Sequence, residues 1–176
     1  MSYQSLSKYI RNIPDFPKEG ILFRDVTTLI KNKKAFKQSI DALAKLCKGK
    51  KIDMVVGVEA RGFIFGGALA YKLGVGFVPV RKKGKLPFRV HQASYELEYG
   101  TDTLEVHVDA IKKGMKVLIV DDLLATGGTV GAVVDMMSRL GAKIQGIMFL
   151  IELVDLHGRN KLQGYPIDAL IKFKGE

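Results

Sequence analysis

Four short runs nearly free of polar side chains punctuate this chain: IDMVVGV at 52–58, VGFVPV at 75–80, VLIV at 117–120 and IQGIMFLIEL at 144–153. Runs this short with no polar face are the mark of strands buried on both sides. Helix-period segments stand between them. In residues 34–48, Phe36, Ile40, Leu43 and Cys47 recur at helical spacing; EARGFIFGGALAYKLG reads as a loop entering a helix that stops at Gly74; and GGTVGAVVDMMSRLG reads as a helix ending at Gly141. Buried strands alternating with helices predict an α/β fold, a central, mainly parallel sheet with helices on both faces. No repeat, low-complexity tract or Ser/Gly-rich linker divides residues 1–176, which fit one domain.

The alternation breaks once. RKKGKLPFRVHQASYELEYGTDTLEVHV, residues 81–108, begins as a basic, Pro-containing loop and ends in two period-two stretches around Tyr99, Gly100, Thr101 and Asp102. It predicts a flexible loop plus a hairpin, inserted at the C-terminal edge of the sheet.

Several functions are made improbable by composition. Cys47 is the single cysteine, so no intrachain disulfide or Cys-based zinc cage forms, and His91, His107 and His157 lack metal-ligand spacing. No apolar run approaches the ~18 residues that span a bilayer, and the first residues are not signal-like. A soluble, cytoplasmic protein is expected, without a membrane partner. The net charge of +10 suits an anionic partner. Much of it belongs to Lys31, Lys33, Lys34, Lys37, Lys45, Lys48, Lys50 and Lys51, which flank one amphipathic helix and read as a solvated face.

In open α/β sheets, ligands collect beyond the C-terminal ends of the strands. Three loops leave strands there: VEARG, RKKGKLP and DDLLATGGT. In the last, Gly127 and Gly128 allow a tight turn whose N–H groups converge, Thr126 and Thr129 add hydroxyls, and a helix follows at once. These are the parts of a phosphate cradle. Taken alone, Ala125, Thr126, Gly127, Gly128 and Thr129 describe equally a Thr-capped helix behind a glycine turn. The adjacent Asp121 and Asp122 shift the balance, because carboxylates beside a phosphate need a different ligand group to face. The 2′- and 3′-hydroxyls of a ribose supply it, with the 5′-phosphate in the cradle.

A hydrophobic strand, Asp-Asp, two apolar residues and ATGGT resembles the binding signature of the type I phosphoribosyltransferases, which use 5-phosphoribosyl-1-pyrophosphate (PRPP). FPKEGILFRDVTTL, GVEARGFIFGGALA and RKKGKLP with ASYELEYG are similar to the adenine-specific branch of that family, in its order, so that the likeness covers residues 16–162. The resemblance implies the type I phosphoribosyltransferase fold, with residues 1–33 as a base-binding N-terminal hood and residues 81–108 as lid and hairpin. It implies that Glu59, Ala60, Arg61 and Gly62 meet the pyrophosphate, Arg61 also reaching toward the base and Gly62 letting the backbone approach the diphosphate. An arginine at a helix start opposes the helix dipole, which makes a purely structural Arg61 costly.

By the same resemblance, Arg81, Lys82 and Lys85 supply charge to the departing pyrophosphate from a mobile lid, Glu98 is the lid's catalytic carboxylate, and Tyr99 packs over the reacting centre. Phe23 stacks on the base, backbone groups of Leu22 and Arg24 read its edge, and Leu153 lines the opposite side. Peptide N–H and C=O groups complement adenine's N1 and exocyclic amine, whereas a 6-oxopurine reverses the pattern. From spacing alone, Leu22, Phe23 and Leu153 fit a plain core equally well. The expected reaction is adenine plus PRPP to AMP plus pyrophosphate, in purine salvage, with Mg²⁺ held without direct protein ligands and touched by Asp121 and Asp122 through water. A homodimer is implied. Rival readings are an oxopurine-specific relative, and a PRPP sensor that binds nucleic acid. The sensor is disfavoured because the stretch before the first core strand is already occupied by the base segment and one helix, so no nucleic-acid partner is expected.

Overall fold

A computed structural model describes residues 3–96 and 101–175. Seven strands form the main sheet in the order β5-β6-β4-β3-β7-β8-β9: β3 (Met54–Val58), β4 (Gly76–Lys82), β5 (Val90–Glu96), β6 (Thr101–His107), β7 (Lys116–Leu124), β8 (Lys143–Leu153) and β9 (Ile167–Phe173). β4, β3, β7, β8 and β9 run parallel, while the β5–β6 hairpin is antiparallel and extends the sheet sideways beyond β4. The four apolar runs are thus strands of one sheet, and the parallel strands are joined by α3 (Arg61–Leu73) and α4 (Gly128–Arg139).

Period-two geometry splits the core. Leu118 and Val120 of β7 face a layer containing Leu43 of α2 (Lys33–Leu46) and Phe65 and Leu69 of α3. Val117 and Ile119 face Val130, Val133, Met136 and Met137 of α4. Helices therefore cover both faces, and the central strands read as unbroken apolar runs because neither face meets water. α2 starts where the Asn32 side chain accepts hydrogen bonds from the N–H groups of Lys34 and Ala35, both at 3.1 Å. α3 ends at Gly74, whose φ of 69° is left-handed.

Three features differ from the sequence reading. β7 does not stop at Val120: Asp121 pairs with Phe149 and Leu124 with Glu152, so both acids belong to the strand. β4 likewise runs through Arg81 and Lys82, opposite Glu105 and Leu104 of β6, so these two cations sit on a strand and the connecting loop begins at Lys83. Pairing with a neighbouring strand overrides local composition in both places. Finally, β9 and a small antiparallel ribbon of β1 (Arg11–Ile13) and β2 (Phe23–Asp25) have no counterpart in that reading. Among the described residues no helix is long and apolar enough to cross a membrane.

Candidate active site

β7 outruns its neighbour. Its pairing with β3 ends at Gly57 opposite Val120, yet the strand continues to Leu124 along β8. The chain leaving β3 turns away through Glu59 and Ala60, whose peptide bond is cis, into α3. A cleft of about 440 Å³ opens in the resulting gap. Its walls bring together four separate parts of the chain: Glu59, Ala60 and Arg61; Lys82 of β4; Tyr95 of β5; and the continuous run from Asp121 through Ala125, Thr126, Gly127, Gly128 and Thr129 to Val130.

The acids are nearly covered, Asp121 at 8% and Asp122 at 5% exposure. Asp122 accepts a hydrogen bond from Arg61 Nε at 2.5 Å. Asp121 Oδ1 accepts from the Asp122 N–H at 2.9 Å. Burial, with the neighbouring Asp122 charge, raises the Asp121 pKa well above the usual carboxylate range. For Arg61, burial works against the charge, and Asp122 more than offsets it.

Cations gather around Glu59. Glu59 receives Arg81 through Nε and Nη2, both at 3.2 Å, Lys85 Nζ at 2.6 Å, and the Lys82 N–H at 3.0 Å. Burial pushes the Glu59 carboxyl up, but these donors from Arg81, Lys85 and Lys82 outweigh it and bring the pKa down to about 2. Lys82 Nζ lies 3.0 Å from Asp102 Oδ2, which also accepts from the Tyr95 hydroxyl at 3.3 Å. Tyr95 is a cleft residue that the sequence reading missed, and Asp102 supports it and Lys82 from outside the cleft. An alternating strand carries no local sign of which residues face a cleft built by other loops.

A turn at residues 125–127 leads into α4, with Gly127 at φ 80° and the Gly131 N–H donating to the Gly127 carbonyl at 2.9 Å. Gly62 packs against β7. It does not line the cleft; a Cβ there would lie 2.7 Å from Asp121 Oδ1 and 3.1 Å from the Val120 carbonyl, so the residue lets the first turn of α3 press against β7.

Leu22, Phe23, Arg24 and Leu153 do not line the cleft. Phe23 lies beside it, its ring centroid 5.7 Å from the Arg61 guanidinium carbon and 5.1 Å from the Phe16 ring. The Arg24 side chain turns away to Asn12 and stacks over Phe173 at 4.0 Å, leaving its backbone to the β1–β2 ribbon. Leu22 is half-buried, and Leu153, half-buried at the end of β8, packs on the α2–α3 layer. Glu98 and Tyr99 lie outside the described residues.

A parallel sheet with a glycine turn, two strand-borne acids and opposed cations at its C-terminal end is the architecture of a phosphoribosyl transferase domain, and the model of that family matches residues 26–171. Over 168 residues, 96% of this chain and 99% of the relative, the sequence is 58% identical to the curated adenine phosphoribosyltransferase of Brachyspira hyodysenteriae. The chain belongs to the adenine phosphoribosyltransferase family. The crystal structure of the Thermoanaerobacter pseudethanolicus adenine phosphoribosyltransferase superposes with a TM-score of 0.95 at 55% identity, covering 98% of this chain and all of that one. The Saccharomyces cerevisiae enzyme, solved with adenine and an imino-altritol bisphosphate, gives 0.91 at 44% identity over 96% of this chain and 98% of its own.

Proposed function

We propose that this protein transfers the 5-phosphoribosyl group of PRPP to adenine, giving AMP and pyrophosphate. The carrying observation is the convergence, in one cleft, of the Asp121–Asp122 pair, the turn at Ala125, Thr126 and Gly127, and Arg61, which bridges from Asp122 to the Phe23 ring. The yeast relative solved with adenine supports the choice of base.

In this reading the bond between the ribose C1 and the pyrophosphate oxygen breaks, a bond from adenine N9 to C1 forms, and adenine gives up its N9 proton. N–H groups of the turn and the Thr126 and Thr129 hydroxyls hold the 5′-phosphate, while Asp121 and Asp122 accept from the ribose hydroxyls. Those contacts fix C1 between base and leaving group, which is where orientation yields rate. Arg61 and Lys82 hold the negative charge of the departing pyrophosphate; Arg81 and Lys85 join them by exchanging Glu59 for phosphate oxygens. Phe23 supports the purine face. Glu98 is the proposed proton acceptor near N9, with Tyr99 closing over it. The donor set fits Mg²⁺: two adjacent carboxylates on the cleft wall suit an ion that takes few protein ligands, keeps several waters and binds substrate phosphates. When bound, it neutralises pyrophosphate oxygens. A homodimer and the cytoplasm, a reducing compartment that suits the unpaired Cys47, complete the proposal.

The test offers PRPP with adenine, hypoxanthine, guanine or xanthine, with Mg²⁺ or with EDTA, and follows nucleotide formation. AMP from adenine alone, abolished by EDTA, is expected. Turnover of an oxopurine instead would remove the Leu22, Phe23 and Arg24 assignment, and no turnover with any base would remove the reaction. Sedimentation of the same preparation tests the dimer.

A further inference from the structure

Glu152 is an acid with no place in the chemistry above, yet it is 5% exposed. It sits near the end of β8, opposite Leu124 of β7 and Lys172 of β9. Arg159, from the short 3-10 segment Gly158–Leu162, meets it with two hydrogen bonds, Nε to Oε1 at 2.5 Å and Nη2 to Oε2 at 2.8 Å. The remaining Nη1 donates to the Ile167 carbonyl at 3.1 Å. Lys172 Nζ stands 3.8 Å from Oε2. A bidentate arginine on a carboxylate fixes orientation as well as distance, and here the carboxylate is buried, so removing its partner is costly.

What this clamp holds is Gly158. Its backbone is packed so closely on the cradle that an added Cβ would run into the Ala125 carbonyl and lie 2.8 Å from Leu124 Cδ1. Reciprocally, a Cβ on Gly127 would collide with the Gly158 carbonyl. The other end of the segment is anchored by Leu162, 1% exposed, in the same core layer as Val130 of the first turn of α4. The turn at Ala125, Thr126 and Gly127 therefore has a wall of backbone behind it, pinned on both sides. Such a wall matters because a glycine turn has many conformations of its own, and an anion site works only when its N–H groups already converge.

We propose that Glu152 and Arg159 are positioning residues for the 5′-phosphate site, acting through Gly158 to hold the turn at residues 125–127 in its phosphate-binding shape. The inference rests on reading that turn as the 5′-phosphate cradle. Arginine is required for the two-pronged contact, and lysine in its place keeps the charge but loses the geometry.

Calorimetric titration of AMP and, separately, of pyrophosphate with Mg²⁺ into the parent protein and the Glu152→Gln, Arg159→Lys and Gly158→Ala variants tests it. Expected is a loss of AMP affinity of about tenfold or more in each, with pyrophosphate affinity within about twofold of the parent, because only AMP uses the cradle. In turnover the same variants raise KM for PRPP and leave KM for adenine in place. Gly158→Ala keeps the ion pair, so it reports on the wall even if the Glu152 variant folds poorly. Parallel loss of both ligands, or unchanged AMP affinity, overturns the positioning role. A parent protein that binds no AMP overturns the cradle reading itself, a distinguishable failure because the variants are then irrelevant to it.

Discussion

Two neighbouring aspartates in one strand face different partners, and their substitution should show it. Asp122 is tied to Arg61 at 2.5 Å, whereas Asp121 takes its own neighbour's N–H and, through burial first and the Asp122 charge second, holds its proton more tightly than a free carboxyl. An amide at position 121 keeps an oxygen that accepts from that N–H. Asp121→Asn is expected to cost less than about tenfold in kcat/KM, and Asp122→Asn about a hundredfold, since it removes the buried carboxylate that holds the Arg61 guanidinium in place. Steady-state kinetics of the two variants decides this; equal losses would make the pair a single functional unit. Glu59 deserves the same separation of roles, because it sits in the cleft yet spends its lone pairs on Arg81, Lys85 and the Lys82 N–H.

At the scale of elements, the helices owe their ends to particular residues. α3 leaves its last turn through Gly74 at φ 69°, with nothing within 4 Å of where a Cβ would stand, so the constraint there is conformational and not steric. Gly74→Ala is expected to destabilise by about 1 kcal/mol, lowering Tm by roughly 2–4 °C, with Gly74→Asn milder and activity retained in both. Differential scanning calorimetry with an activity assay checks it. The strands follow another rule. β7 and β4 are each longer than their apolar runs because a partner was available: β8 carries β7 past Asp121 and Asp122, and β6 carries β4 past Arg81 and Lys82. Asp121, Asp122 and Lys82 become cleft walls for that reason, with Arg81 beside them on Glu59, held by ladders that loops lack.

For the whole molecule, acid stability follows from carboxylates whose pKa values fall on folding. Glu59 is brought down to about 2 as Arg81, Lys85 and Lys82 outweigh its burial. Asp25 also falls to about 2, chiefly through the hydrogen bond from Thr27, with Arg11 at 2.5 Å assisting against burial. Unfolded, both groups titrate near ~4, so between about pH 5 and pH 2 the unfolded chain binds more protons and stability declines as pH is lowered. Their contribution is complete above that window. Tm measured across it should fall steeply, and Glu59→Gln should flatten the limb; an unchanged limb would mean that the cationic cluster does not persist in solution.

The α/β architecture was legible in the chain itself, because burial on both faces forces unbroken apolar strands such as residues 117–120, and a helix must follow each parallel strand. The glycine turn at residues 125–127 was legible too, since small residues make it, and so were the acids that precede it. Other features depended on partners far away in sequence. Tyr95 reaches the site, with Asp102 behind it, because a hairpin is laid beside β4; Gly62 is a glycine because β7 runs beneath it; and Gly158, next to the Arg159 that binds Glu152, backs a turn more than thirty residues earlier. Local patterning encodes which face of an element is buried. What that face meets is decided only when the sheet is assembled, since contact order along the chain says nothing of register between strands.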